Sequence, residues 1–324
     1  MKRRLVLMLL WLILFDRFVP ALLDVAERRH YEQTNAFRFE NSDLFGLGPL
    51  VQYLREHPRR EHRRVVFFGN SMIWGYFLTP EQAMPAQFQA LVPDARVYNA
   101  AINGQEMGTG YLVAKDILDD VDVLYIQDLG TRANPMLPSL IPIDDADLHR
   151  FGLEAPDRVE ARLQSWLGSV WNLDRLNYRI QAALFGTSTR VYVYMHKRDI
   201  VARLLRRPSP PPTVWPPVTA RISLRAPVAP ASAPAGPAAS SPPMMTDLAA
   251  LARARGKRVV FIRFEWDGSA PTDAEVAAFN AAYAPSAEIV IVHLPKETTF
   301  DGEHPVPGAA TQIAEALARH EAGR

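Results

Sequence analysis

The chain has 324 residues, 48% of them apolar, and 36 basic against 35 acidic side chains leave a formal charge of +1. That composition supplies the core of one large or two small domains and excludes both disorder throughout and the broad basic footprint of a nucleic-acid binder. The absence of cysteine removes disulfides, thiolate catalysis and cysteine-ligated zinc.

At the amino terminus Lys2, Arg3 and Arg4 precede an apolar run from Leu5 to Phe15, then Asp16 and Arg17, then a second apolar stretch from Phe18 to Leu23. The first run spans only about 17 Å as a helix, short of the roughly 30 Å of a hydrocarbon core, and extension to Leu23 supplies the missing length. It carries Asp16 and Arg17 into the segment, at a cost of about 3 kcal/mol each at the bilayer centre and less toward the outer interface. Residues 1–23 are therefore expected to form an uncleaved signal anchor, with the basic residues inside and the globular part outside. A signal peptide cleaved near Val19, Pro20 and Ala21 is the alternative. Residues 24–64 are charged and aromatic without a long apolar run, which suits a linker and a helix leading into the domain.

From Val65 onward strands and helices alternate. Val65–Phe68 reads as a buried strand, and Thr79-Pro80-Glu81-Gln82 opens a helix to Leu91 with a capping threonine, a proline and a returning glutamine. Val97–Asn99 gives the second strand, followed by a glycine-punctuated loop from Ala101 to Gly110, a helix over 111–118 and a third strand over 122–127. Helical spacing covers 159–166 and 173–185, and 191–194 looks extended. Pro208–Pro243 is dominated by proline, alanine and serine, which predicts a spacer with few contacts to lose. Helices over 245–255, 273–282 and 307–320 then alternate with strands over 259–264 and 288–294. The pattern predicts an α/β domain over residues 65–324, a flavodoxin-like three-layer α/β/α arrangement with a five-stranded parallel sheet, plus the N-terminal membrane helix.

Two motifs fall just beyond predicted strands. Gly69-Asn70-Ser71 follows the first, and Asp301-Gly302-Glu303-His304 follows the last. A serine there also serves as a helix cap, and Asp-x-x-His also forms simple turns. Together, at the carboxyl edge of a parallel sheet, they can supply nucleophile, base and orienting carboxylate. Asp119-Asp120 and Asp144-Asp145 have no histidine at ligand spacing, so no metal site is expected, and the glycine-spotted stretch 104–110 lacks the lysine of a phosphate loop. His293 reads as a packed or capping residue, and Glu265-Trp266-Asp267 as a pocket wall.

These residues resemble the blocks of the SGNH (GDSL-like) hydrolase superfamily, especially its membrane-anchored members that modify cell-envelope glycans. Gly69-Asn70-Ser71 followed by Met72-Ile73-Trp74-Gly75-Tyr76 is similar to the first block, with Asn70 where Gly-Asp-Ser has aspartate. Asn99-Ala100-Ala101-Ile102-Asn103-Gly104 resembles the second block, and Asp301 through Pro305 the fifth. The third block, usually Gly-x-Asn-Asp, reads Gly130-Thr131-Arg132-Ala133-Asn134, so Arg132 holds the asparagine's usual place and Asn134 comes two positions later.

The resemblance covers roughly residues 60–135 and 255–320. It implies Ser71 as nucleophile, His304 as base and Asp301 as its orienting carboxylate. The implied oxyanion and substrate-binding groups are the amides of Ser71 and Gly104, Asn134 and Asn103. No cofactor is implied. The expected activity is O-acyl esterase or O-acyltransferase chemistry on a glycan or related envelope ester, at the outer face of an inner membrane, with envelope partner proteins unspecified. A catalytically silent binding or assembly component that keeps the fold is the second reading.

Overall fold

The computed structural model describes residues 2–32, 37–39, 46–58, 62–105, 107–127, 145–151, 163, 172–185, 218, 220, 222–225, 243–265 and 273–323. Five parallel strands run through it: β1 (Arg63–Phe68), β2 (Ala95–Asn99), β3 (Val123–Gln127), β5 (Arg258–Glu265) and β6 (Ala287–His293). A short strand β4 (Ser223–Arg225) joins them at one edge, antiparallel to β6, and the sheet order is β2-β1-β3-β5-β6-β4. The five-stranded parallel sheet is the expected one.

Its strands read as continuous apolar runs because both faces are covered. Val66, Phe68, Leu124, Ile126, Phe261 and Ile291 point into one core with the helices α2 (Leu47–Glu56), α5 (Met107–Ile117), α8 (Pro243–Ala254) and α9 (Asp273–Tyr283). Their neighbours Val65, Phe67, Val123, Tyr125, Ile262 and Val292 point into a second core, under α4 (Met84–Leu91) and α10 (Pro307–Ala322). The period of two along each strand thus sorts one apolar run into two cores.

The expected helix from Thr79 is split. Gln82 Oε1 accepts from the Thr79 amide at 3.1 Å, as a capping box requires, but only a turn of 3₁₀ helix follows over Pro80–Gln82 before α4 starts at Met84. Pro85 is the reason: it cannot donate to the Glu81 carbonyl, which the Gln87 side chain takes instead at 2.5 Å.

The amino-terminal helix α1 (Lys2–Glu32) is long and apolar enough to cross a membrane. Leu5 through Phe15 are exposed along it, whereas Val19, Leu23 and Tyr31 are buried, so the helix continues past Leu23 as one piece into the domain. The carboxylate of Asp16 accepts from the amide of Asn172 at 2.8 Å, at the start of α7 (Leu173–Phe185). Farther along, the buried Glu27 meets Arg175 at 2.5 Å, and Arg175 also reaches Glu56 at 2.7 Å.

Two expectations about connecting segments are corrected. Within residues 24–64 the expected helix is present as α2, but the described residues around it are not a free linker, because Tyr31, Phe37, Phe39, Leu47, Leu50 and Tyr53 are buried in the first core. Widely spaced aromatics gave no periodic signal, yet they converge once the chain folds back. Within Pro208–Pro243, Ile222 is buried in the second core, its amide donates to Gln312 Oε1 at 2.8 Å, and Ser223–Arg225 supplies β4. One isoleucine and three strand residues are too few to outweigh the surrounding proline and alanine in composition. Residues 191–194 and nearly all of 159–166 lie outside the described residues.

Candidate active site

Ser71 opens a single helical turn, α3 (Ser71–Trp74), immediately after β1. Asn70 caps it, its side chain accepting from the Met72 amide at 3.0 Å, and Gly75 ends it in the left-handed region at φ 86°. Gly69 has to be glycine, since a Cβ there would lie 2.5 Å from Ile73 Cγ1 and 2.7 Å from Gln127 Oε1. The strand β1 lies beside β2 and β3, where the strand order reverses, so Ser71 sits at the sheet's topological switch point.

Two glutamines brace this turn from neighbouring strands. Gln127, at the end of β3, accepts from the Asn70 amide at 3.1 Å, and Gln105, beyond β2, accepts from the Gly69 amide at 2.8 Å. The loop carrying Asn103 and Gly104 is tied alongside by the Ile102 amide donating to the Gly69 carbonyl at 2.9 Å. Asn103 and Gly104 are exposed there, and Gly104 takes φ 75° with open space around the position of a Cβ.

Beyond α3, Arg38 gathers the chain from the far side. Its Nη1 donates to the carbonyls of Trp74, Gly75 and Leu78 at 3.0–3.2 Å, and its guanidinium lies 4.3 Å from the Trp74 ring centre. Trp74 in turn donates its indole N–H to the Phe39 carbonyl at 2.9 Å. Inside this clamp Phe77 adopts φ 65°, a left-handed conformation that costs a non-glycine residue roughly 1–2 kcal/mol.

His304 arrives on the connection from β6 to α10, on the same face of the sheet as the Ser71 turn. Helix α10 packs on α4, and Glu321 near its end is pinned at the opposite edge of the sheet by Arg63 and Arg258, each at 2.5 Å, and by the Tyr125 hydroxyl at 2.9 Å. Burial pushes the Glu321 carboxyl up, but Arg258, Arg63 and the Tyr125 hydrogen bond outweigh it and hold the group below its ordinary value. The start of α10 therefore faces the carboxyl edge, and the connection from β6 must pass over that edge. A bridge between Thr299 and Pro305 closes this connection into a tight loop, with Gly302 at φ 90°.

Within the loop Asp301 Oδ1 accepts from the amides of Glu303 and His304 at 3.1 and 2.9 Å, while Oδ2 lies 2.7 Å from His304 Nδ1. Partial burial pushes the Asp301 carboxyl up. The two amides and the His304 ring outweigh it, so the group stays ionised below the usual carboxylate range. An ionised carboxylate only accepts, so the Nδ1 proton belongs to His304, and in the neutral imidazole Nε2 is then the acceptor. Nε2 lies 2.7 Å from Ser71 Oγ.

The three residues singled out for nucleophile, base and carboxylate thus form one continuous hydrogen-bonded chain. Gly104 and Asn103 lie on the loop tied to the Ser71 turn, and Asn134 and Arg132 lie outside the described residues. Of the two readings of His293, packed or capping, the packed one is corrected, since the residue is 48% exposed with Nδ1 3.5 Å from Glu265 Oε2, while Trp266 and Asp267 are not among the described residues. Sequence reading missed Gln105, Gln127 and Arg38. The glutamines stand at or just beyond strand ends, where a buried polar residue needs a reason. Arg38 gave no signal, because its three partners lie 36 to 40 positions away. Comparison with protein-family models, with curated proteins and with solved structures finds no match for this chain.

Proposed function

We propose that this protein is a serine-dependent O-acyl esterase or O-acyltransferase, acting on an ester of a cell-envelope glycan, and that it resembles the SGNH hydrolases in mechanism. The observation that carries the reading is the relay from Ser71 Oγ to His304 Nε2 and from His304 Nδ1 to Asp301 Oδ2, each at 2.7 Å. A serine hydroxyl is a weak nucleophile unless a positioned base removes its proton.

His304 takes the Ser71 proton as Oγ attacks the ester carbonyl, and Asp301 stabilises the imidazolium that forms. The amide of Ser71 and that of Gly104 are the main-chain donors assigned to the developing oxyanion, with Asn134 as the side-chain donor. Collapse of the tetrahedral intermediate returns the proton from His304 to the departing alcohol and leaves the acyl group on Ser71. Water completes hydrolysis, and a sugar hydroxyl completes transfer. The helix α1 holds the domain at a membrane, and we assign it to the outer face of an inner membrane because Lys2, Arg3 and Arg4 flank the apolar run on its amino-terminal side.

The test is covalent labelling of the full chain in lipid nanodiscs with a fluorophosphonate probe. Labelling at Ser71 that disappears in Ser71→Ala is the expected result, and an unlabelled, folded wild-type chain would favour the silent binding component instead. Release of acetate from an acetyl ester with and without an oligosaccharide acceptor then separates hydrolysis from transfer.

A further inference from the structure

Acyl transfer at Ser71 leaves an aromatic pair beside the site without a role. Phe77 and Phe300 are 48% and 46% exposed, with ring centres 4.6 Å apart and planes tilted by 58°. The Phe77 ring centre lies 6.3 Å from that of His304, and Tyr76 lies 5.1 Å from His304 on the same side. Phe77 is also the one non-glycine residue with positive φ among the described residues.

Tyr76 and Phe300 cover part of the Phe77 ring at 4.1 and 4.6 Å, yet half of it stays in water, and phenylalanine gains nothing from the left-handed region, where its Cβ is crowded. Yet Arg38 binds the carbonyls of Trp74, Gly75 and Leu78 on either side of it, and the Leu78 amide donates back to Gly75 at 3.0 Å. The fold therefore holds an exposed ring in a disfavoured backbone state at the edge of a nucleophile. Strain combined with exposure at such a place points to a ligand.

We propose that Phe77 and Phe300 form a sugar subsite, on which the apolar face of a pyranose ring stacks next to His304. An alkyl chain gains most from enclosure on all sides. A pyranose instead offers one C–H face to an aromatic ring and keeps its hydroxyls in water, which fits two half-exposed rings at an open angle. The subsite rests on the acyl-transfer reading for its choice of a glycan, and it is measurable without turnover.

The experiment uses the full chain carrying Ser71→Ala in lipid nanodiscs, titrated by calorimetry with the β-1,4-linked hexasaccharides of glucose and of N-acetylglucosamine. At least one is expected to bind. Adding Phe77→Asn or Phe300→Ala should weaken that binding about tenfold, and Phe77→Tyr should retain it. Because asparagine tolerates positive φ, the melting midpoint of Phe77→Asn should hold or rise.

Failure of both hexasaccharides to bind would overturn the subsite. So would equal affinity with and without Phe77, or a lowered midpoint with unchanged binding, which would make Phe77 a packing residue. Binding of hexanoate, lost with Phe77→Asn while sugar binding persists, would give the rim to the acyl chain instead. The chemistry is read separately: a wild-type chain that binds sugar but takes no fluorophosphonate keeps the subsite and discards acyl transfer, and the reverse result discards the subsite alone.

Discussion

The two halves of the Ser71–His304 pair are built in opposite ways. Ser71 stands on a turn braced from three remote places, with Gln105 beyond β2, Gln127 on β3 and Arg38 from the segment that follows α1. His304 stands on a loop that orders itself, since Asp301 takes two amides and the imidazole of its own loop and a bridge from Thr299 to Pro305 closes it. A turn such as that of Ser71, assembled from distant elements, depends on the whole sheet. An imidazole carried on a self-capped loop needs only to be delivered to the right edge.

The sharpest way to break the comparison is to remove the base. His304→Ala should lower the rate of fluorophosphonate labelling on the order of 10⁴-fold, with only a small change in the melting midpoint, because among the described residues outside its own loop the ring makes one hydrogen bond, to Ser71, and touches only Tyr76 and Phe77. Labelling at the wild-type rate would end the role assigned to His304.

Asp301→Asn comes next, at roughly 10³- to 10⁴-fold in the same assay, since an amide cannot fix the Nδ1 proton. It also carries a pH signature. The folded-state carboxyl is held below its ordinary value, so its contribution to stability is full above about pH 4 and is lost as the pH falls through the lowered value. The midpoint difference between wild type and Asp301→Asn should be present at neutrality and vanish in stronger acid. A difference independent of pH would show that the carboxylate does not act through its charge.

On the other side, Gln127→Ala takes the acceptor from the Asn70 amide without touching the reacting atoms. Labelling is expected to slow by about 10- to 100-fold through misplacement of Ser71, and unfolding to become easier by about 1–2 kcal/mol in urea titrations. A large stability loss with an unchanged labelling rate would separate bracing from positioning. The smallest effect belongs to Asn70. Asn70→Ala should cost about 1 kcal/mol through the lost cap, whereas Asn70→Asp, which keeps an acceptor for the Met72 amide, should change stability by less than about 0.5 kcal/mol.

The same contrast explains how much could be read in advance. Asp301 and His304 lie three positions apart, so their relation is nearly a local property, and the motif was visible as such. The five parallel strands were visible too, because a strand buried on both faces leaves an unbroken apolar run such as Val65–Phe68. Arg38 was invisible, and so was the edge strand around Ser223–Arg225 within a proline- and alanine-rich stretch, since each depends on partners far away in the chain. The break at Ala83 lay between: Pro85 was in plain view, but a good capping box ahead of it argued for a continuous helix.

By itself the amino-acid sequence determined the alternation of strands and helices, the apolar amino-terminal helix and the local turn that joins Asp301 to His304, because each follows from periodicity or from contacts a few residues apart. Only the tertiary structure decided that His304 meets Ser71 across 233 positions, and that Arg38, from the segment after α1, clamps the Ser71 turn. Those outcomes hang on strand order and on the pinning of α10 by Glu321, and such long-range packing leaves no periodic trace along the chain.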